Sequence, residues 1–69
     1  MEFKKYTTEF NGKRFVIDED LPDVGAYLYI YEGEKCIQDT LQDTVEMCKE
    51  VALEDFDVPL NGWKEVKEY

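Results

Sequence analysis

Length, composition and charge narrow the functions that this chain can have. Its 69 residues suffice for one small domain, residues 1–69, and 43% of them are apolar, which is more than a disordered segment carries. The net charge is −9, with residues 18–69 summing to −11 and residues 1–17 to +2. This balance disfavours nucleic acid and anionic membranes as partners and favours a basic protein, although the same carboxylates also keep a small domain soluble.

The first 17 residues predict a β-hairpin. Asn11-Gly12 is a strong signal for a two-residue type I′ turn, because both central positions of that turn need a positive φ. A two-residue loop fixes the register, so Thr8 lies opposite Phe15 and the same register sets the other cross-strand pairs. One face of the hairpin then carries four large residues that we expect in the core, namely Tyr6, Phe10, Phe15 and Ile17. The other face carries Thr7, Val16 and a Glu9–Arg14 pair.

A loop and a second hairpin are predicted next. Residues 18–25 combine four acids with a proline and a glycine, which is typical of a surface loop. In residues 26–31 aliphatic residues alternate with tyrosines, and this period of two predicts a strand. Ala26, Leu28 and Ile30 share one face of that strand, and Tyr27, Tyr29 and Tyr31 share the other. Residues 32–34 predict a tight turn and residues 35–38 the returning strand.

An amphipathic helix is predicted to start between Thr40 and Asp43. Asp39-Thr40 and Asp43-Thr44 are both suitable N-caps, each with a capping-box partner three residues on. At about 100° per residue, the apolar residues fall on a stripe about 80° wide, which suits packing on a sheet. That stripe comprises Leu41, Val45, Cys48, Ala52 and Phe56. The outward side carries Glu46, Lys49, Glu50 and Glu54.

The helix is expected to end within residues 57–62, where Pro59 cannot continue it and Asp57 takes the left-handed cap position. Trp63 and Val66 then supply a short closing segment, either extended or one turn of helix. The predicted strands come first in the chain and the helix follows them, and this order predicts an α+β fold. We expect an antiparallel sheet of three to four strands with one amphipathic helix packed on one face, in the order β-β-β-β-α. The strand order within the sheet stays open.

The residue types that most catalytic sites need are missing. Without histidine or serine, the chain lacks the commonest general base, the commonest metal ligand and a serine nucleophile. Cys48 lies on the apolar stripe, so we expect an inert core thiol there, whereas Cys36 is either buried or exposed. The acids of residues 18–23 lack the spacing of a calcium loop, and the four glycines are isolated turn residues. We therefore expect no enzyme activity, no cofactor and no metal.

The tyrosine stripe is the clearest candidate for a binding surface. If the helix covers the aliphatic side of the strand, the tyrosines lie on the opposite side, and tyrosine is enriched at protein interfaces. The alternative is that they pack under the N-terminal hairpin or under Trp63, with their hydroxyls in water. Stacking on single-stranded bases is a third use, which the neighbouring glutamates disfavour. The candidate interaction surface comprises Tyr27, Tyr29, Tyr31, Glu46, Glu50 and Glu54.

One segment resembles a known family. Residues 39–51 read Asp39-Thr40-Leu41-Gln42-Asp43-Thr44-Val45-Glu46-Met47-Cys48-Lys49-Glu50-Val51, which resembles the strand-to-helix junction of HicB-like antitoxin domains. That family has a Pro-Asp-Leu-Pro-Gly-like turn just before its third strand, whereas here Leu21-Pro22 comes earlier. The resemblance implies an antitoxin-like partner of a basic protein. The run Glu54-Asp55-Phe56-Asp57-Val58-Pro59 followed by Trp63 is similar to the ending of short uncharacterised bacterial proteins, which implies no function.

The sequence therefore predicts a small acidic protein that acts as a non-enzymatic protein-interaction module. The alternatives are a self-associating structural or accessory domain, and an antitoxin-like inhibitor of a basic protein. We expect a basic protein or a second copy (a homodimer) as partner, and neither nucleic acid nor a membrane. No apolar run follows the opening Met1-Glu2-Phe3-Lys4-Lys5, so no signal peptide is expected and the cytoplasm is the default compartment, with both cysteines reduced.

Overall fold

The computed structural model describes residues 4–20 and 24–66, which form a five-stranded antiparallel sheet and one helix. In chain order the elements are β1 Lys5–Phe10, β2 Lys13–Glu19, β3 Ala26–Glu32, β4 Lys35–Gln42, α1 Val45–Phe56 and β5 Lys64–Val66. The strands lie in the order β4-β3-β2-β1-β5, so the chain crosses from one edge of the sheet to the other through the helix. The predicted α+β class is confirmed, although the sheet has five strands instead of three to four.

The first hairpin has the predicted turn and register. Asn11 and Gly12 have φ angles of 54° and 79°, and Thr8 pairs with Phe15. The predicted core face is also confirmed, because two of its members are fully buried and two pack partly buried against them; these are Phe15, Ile17, Tyr6 and Phe10. The turn therefore sets the register that brings these four large residues to one side of β1 and β2, and their apolar character turns that side to the core.

The predicted loop after this hairpin is shorter than expected. Asp18 and Glu19 belong to β2, because Asp18 pairs with Lys5 and with Tyr27, and Glu19 pairs with Ala26. Cross-strand pairing on both sides outweighs the loop-like acidic composition. Residues 21–23 of the predicted loop lie outside the described residues.

The core lies between one side of the sheet and α1. Phe15 pairs with Ile30 and Ile17 with Leu28, so the buried residues of β2 and β3 share one side, here called the helix-covered side. The helix adds Val45, Cys48 and Ala52 to this core, and Val58 follows it. The ring of Phe15 meets Phe56 and Trp63 edge to face, with centroids 5.5 and 6.4 Å apart. Burial of each large apolar side chain contributes about 1.5–3 kcal/mol.

β4 continues further, and α1 starts later, than the sequence predicts. Thr40 pairs with Leu28 and Leu41 pairs with Tyr27, so both residues belong to the sheet. The expected place of Leu41 on the apolar stripe of the helix is therefore wrong, and this side chain is 51% exposed. The N-cap is Thr44, whose hydroxyl accepts a hydrogen bond from the Met47 N–H at 3.1 Å. The strand ladder outweighs the earlier capping signal, because Thr40 is β-branched and pairs well in a sheet.

The end of the helix matches the prediction. Asp57 has the left-handed conformation, with φ of 62°, and its N–H donates to the Leu53 carbonyl at 2.9 Å. The next N–H, that of Val58, donates to the Ala52 carbonyl, and the Val58 side chain is fully buried. The closing segment is extended, because residues 64–66 form β5 and pair with β1. This short strand supplies the fifth member of the sheet.

Candidate functional site

The three tyrosines of β3 lie side by side on the side of the sheet that α1 leaves open. We call this helix-free side the tyrosine face, and define it by Tyr27, Tyr29, Tyr31 and the residues paired with them. On the β2 side these partners are Asp18, Val16 and Arg14, and on the β4 side they are Leu41, Asp39 and Cys36. All three tyrosines are partly exposed, which contrasts with the buried Ala26, Leu28 and Ile30 between them.

Contacts between neighbouring side chains fix the orientation of the tyrosine rings. Tyr27 and Tyr29 stack with centroids 6.0 Å apart and an interplanar angle of 19°. The guanidinium of Arg14 lies 5.0 Å from the ring centroid of Tyr31, which is within the range of a cation–π interaction. Each ring thus has a neighbour that restricts its rotamers, so the side chains of the face are held in place by one another.

The surface beside the tyrosines is a shallow, open groove with a volume of about 640 Å³. It crosses β2 and β1 and reaches β5, and its lining comprises Lys5, Thr7, Arg14, Val16, Asp18, Tyr29, Tyr31 and Val66. Lys5 and Asp18 form an ion pair of 4.0 Å at one end. The groove is too open to enclose a small ligand in the way that ligand pockets do.

Charges on the tyrosine face are balanced, although the whole chain is strongly acidic. The strand pairings place six charged residues on this side, three of each sign: Lys5, Arg14 and Lys64, with Glu9, Asp18 and Asp39. Burial raises the pKa of the Tyr29 phenol above its ordinary value, and the negative charge of Asp18 adds to the effect. Tyr29 therefore stays a neutral phenol at physiological pH, and the face is an aromatic surface without an excess of one charge.

The acidic part of the predicted surface lies elsewhere. Glu46, Glu50 and Glu54 are exposed on α1, and α1 packs on the opposite side of the sheet. The six predicted residues therefore form two separate surfaces, because one partner surface cannot contact both sides of the sheet at once. The prediction grouped them because sequence periodicity gives the faces of each element but not how the elements are placed.

Neither the hairpin nor Trp63 covers the tyrosines. The hairpin strands lie beside β3 in the same sheet, and Trp63 packs on Phe15 on the helix-covered side. The indole N–H of Trp63 is buried there without a hydrogen-bond partner among the described residues. Sequence reasoning missed Leu41 as a member of the tyrosine face, because no local pattern marks residues 38–42 as a strand and only their pairing with β3 places them in the sheet.

The two cysteines differ in environment. Cys48 is buried, its thiol donates to the Ala26 carbonyl at 3.4 Å, and burial raises its pKa to about 11. The predicted core position of Cys48 is confirmed. Cys36 is exposed and pairs with Tyr31, so it lies on the tyrosine face; the two free thiols are on opposite sides of the sheet. Within residues 4–20 and 24–66, no three histidine, cysteine or acidic residues come together as metal ligands.

Compared with known proteins, the chain matches no protein-family model, no curated protein and no solved structure. The resemblance of residues 39–51 to HicB-like antitoxin domains stays a prediction. In the part of the chain that the structure describes, no helix has the length and apolar character needed to span a membrane.

Proposed function

We propose that this chain is a non-enzymatic protein-interaction module and that its tyrosine face binds a partner protein. The observation that supports the proposal is that α1 covers only one side of the sheet. Tyr27, Tyr29 and Tyr31 are thereby left partly exposed and adjacent on the other side. Tyrosine is among the residue types that contribute most to the binding energy of protein interfaces.

The arrangement of the face lowers the entropic cost of binding. Tyr27 and Tyr29 already stack on each other, and Arg14 already lies over Tyr31. All four side chains stand on paired strands in the interior of the sheet, so a partner would order little that is not ordered beforehand. A rigid aromatic surface of this kind suits a partner that inserts apolar side chains into the groove beside Tyr29.

The charge distribution supports a basic partner. The chain carries a net charge of −9, and the exposed glutamates of α1 are part of the excess. A negative field of this kind attracts a basic protein over long range, and contact on the charge-balanced tyrosine face then supplies most of the affinity. Inhibition of a basic protein by an antitoxin-like domain is the narrower form of the proposal, and the resemblance of residues 39–51 supports it.

Self-association is the second candidate function. β3 lies between β2 and β4, so the tyrosine strand itself has no free edge for pairing with another strand. Association of two copies would therefore use a side of the sheet or one of its edge strands. The length of β4, eight residues at one edge of the sheet, favours the edge.

The experiment starts with a photo-crosslinking phenylalanine analogue at position 31, introduced into the chain in its own cell. The captured protein is then purified, and its affinity is measured for the wild type, for Tyr29→Thr and for Glu50→Gln. We expect Tyr29→Thr to weaken binding by about 30-fold, because loss of an interface tyrosine typically costs about 2 kcal/mol or more. Glu50→Gln removes a charge from the opposite side of the molecule and should change the affinity by about twofold at most.

Threonine is the matched replacement, because its β-branched side chain keeps a high strand propensity at this position while it removes the ring. Loss of binding in Glu50→Gln with normal binding in Tyr29→Thr would move the binding site to α1. Normal binding in both variants would remove the tyrosine face from the function.

A further inference from the structure

β4 is a long edge strand with a free side. Its eight residues, Lys35–Gln42, pair with β3 on one side, and within residues 4–20 and 24–66 no strand pairs with the other side. An edge strand presents backbone N–H and C=O groups that can pair with another strand. The opposite edge, β5, has only three residues. The longer edge is therefore the better template for an added strand.

Two backbone hydrogen bonds at the C-terminal end of β2 fix the pattern of the whole sheet. The Glu19 N–H donates to the Lys4 carbonyl at 3.0 Å, and the Asp20 N–H donates to the Gly25 carbonyl at 2.9 Å. Bonded and non-bonded pairs alternate along antiparallel strands. Odd-numbered residues of β2 consequently bond to β1, and even-numbered residues bond to β3.

The same alternation carries across β3 to the free edge. Odd-numbered residues of β3 bond to β2, so its even-numbered residues bond to β4, where their partners are Gln38, Thr40 and Gln42. The N–H and C=O groups of Asp39 and Leu41 therefore point away from the sheet. Their side chains stand on the tyrosine face, and Leu41 is 51% exposed there.

The free edge is protected at one end only. The pairing with β3 shifts between Ile30 and Tyr31, which makes Ile37 an extra, bulged residue. A bulge and a lysine such as Lys35 are common devices against edge-to-edge pairing. Residues 38–42 contain no bulge, lysine or proline, so they form a regular five-residue template.

Among two-fold axes at residues 39 to 41, charge favours one register for pairing of this template with a second copy. A two-fold axis at Asp39 would place two Asp39 carboxylates opposite each other, and an axis at Leu41 would place Asp39 opposite Asp43. Like charges directly opposite each other are destabilising. An axis at Thr40 avoids both, because it sets Asp39 opposite Leu41, Gln38 opposite Gln42 and Thr40 opposite its own copy. The segment reads Gln-Asp-Thr-Leu-Gln and is thus nearly self-complementary about Thr40.

We propose that two copies of this chain associate through β4, antiparallel about Thr40, to form one continuous sheet. The outward groups of Asp39 and Leu41 then form about four backbone hydrogen bonds between the copies. A stable interface buries about 1,000 Å², which is more than so short a strand pairing buries. Dimerisation is therefore weak, with a Kd between about 10 μM and about 1 mM. The dimer places two tyrosine faces side by side, and its formation does not depend on the function proposed for that face.

Sedimentation equilibrium of the full chain tests the association and its register. Leu41→Lys places a cation opposite Asp39 of the other copy, whereas Leu41→Asp places an anion there, and both remove the same exposed leucine. We expect the lysine variant to dimerise about tenfold or more tightly than the aspartate variant, because each effect occurs twice in a symmetric dimer. The same two substitutions at Met47, which is 40% exposed on α1, are the charge-matched control and should leave dimerisation nearly equal.

Crosslinking tests the axis itself. In the non-bonded pair at the axis the two Thr40 Cα atoms lie about 4.5 Å apart, which a disulfide can span. Thr40→Cys in a Cys36→Ser background should form a dimer on mild oxidation, and Gln38→Cys in the same background should not. A monomer at all concentrations, or a dimer in which both Leu41 variants behave alike, would overturn the proposal. The proposal would also be overturned if only a strand from a different protein paired with the free edge of β4.

Discussion

The two sides of the sheet are built from the same strands and yet differ in every physical property that matters for binding. In β3 the even-numbered residues from 26 to 30 are aliphatic and buried beneath α1, whereas the odd-numbered residues are tyrosines that stay partly exposed. The covered side supplies stability through burial of apolar surface. The open side contributes less to the fold and is preorganised for contact. A period-two sequence thus places the stabilising core and the proposed binding face on opposite sides of one strand.

The largest expected effect concerns the two thiols, one on each side. Cys36 should react with an alkylating reagent at pH 8 about 100-fold or more faster than Cys48, because Cys48 reacts only when the domain opens at a cost of about 3 kcal/mol or more. In the closed state the raised pKa of Cys48, about 11, keeps its thiol protonated at pH 8, so reaction without opening is negligible. Mass spectrometry over time measures both rates, and in denaturant they should become similar. Equal rates in the native protein would mean that the two sides are equally open.

A core truncation should cost more than a truncation on the tyrosine face. Leu28→Ala removes a fully buried side chain and should lower the free energy of unfolding by about 3 kcal/mol. Tyr29→Thr at the neighbouring position should cost about 1 kcal/mol. Urea titration followed by circular dichroism measures both values. A larger cost for Tyr29→Thr would contradict the division of roles between the two sides.

The turn into β3 should be sensitive to a single methyl group. Gly25 has φ of 109°, and a Cβ there would collide with the backbone carbonyl of Gln42. Gly25→Ala should therefore cost about 2 kcal/mol. Gly33→Ala is the matched control: it too has a positive φ, 64°, but open space around it, so it should cost about 1 kcal/mol. Thermal unfolding ranks the two, and an equal loss would show that the contact with β4 is unimportant.

The smallest expected effect concerns the N-cap of α1, the helix that covers one side of the sheet. Thr44→Ala removes the hydroxyl that accepts from the Met47 N–H and should cost about 1 kcal/mol. Thr40→Ala is the control, because the sequence makes it an equally good cap but the structure places it in β4. Hydrogen exchange at the Met47 amide should accelerate only in Thr44→Ala. Faster exchange in Thr40→Ala would return the cap to the position that the sequence first suggests.

Local rules predicted most of the fold. Asn11-Gly12 determined the hairpin register, the alternation in β3 determined which side is aliphatic, and Asp57 was recognised as the left-handed cap. The errors lie where two local signals compete or where none exists. Asp39-Thr40 reads equally well as a cap and as a strand, and only pairing with β3 decides between them. β5 has three residues, too few to show any period.

The candidate surface was predicted only in part, for a different reason. The tyrosines follow from one strand, so alternation was enough to place them together. Their neighbours Arg14, Val16 and Leu41 come from other strands, and their grouping depends on strand order, which no local pattern contains. The glutamates of α1 lie apart from the tyrosines, because the helix packs on the aliphatic side of the sheet, a placement that periodicity within one element does not give.

The openness of the tyrosine face is tested most directly by NMR of the aromatic side chains with a soluble paramagnetic agent. The ring signals of Tyr27, Tyr29 and Tyr31 should weaken strongly as the agent is added, while those of Phe15 should be nearly unaffected, because Phe15 is fully buried beneath α1. Equal protection of the tyrosine rings and Phe15 in the monomer would contradict the claim that one side of this sheet is free for a partner.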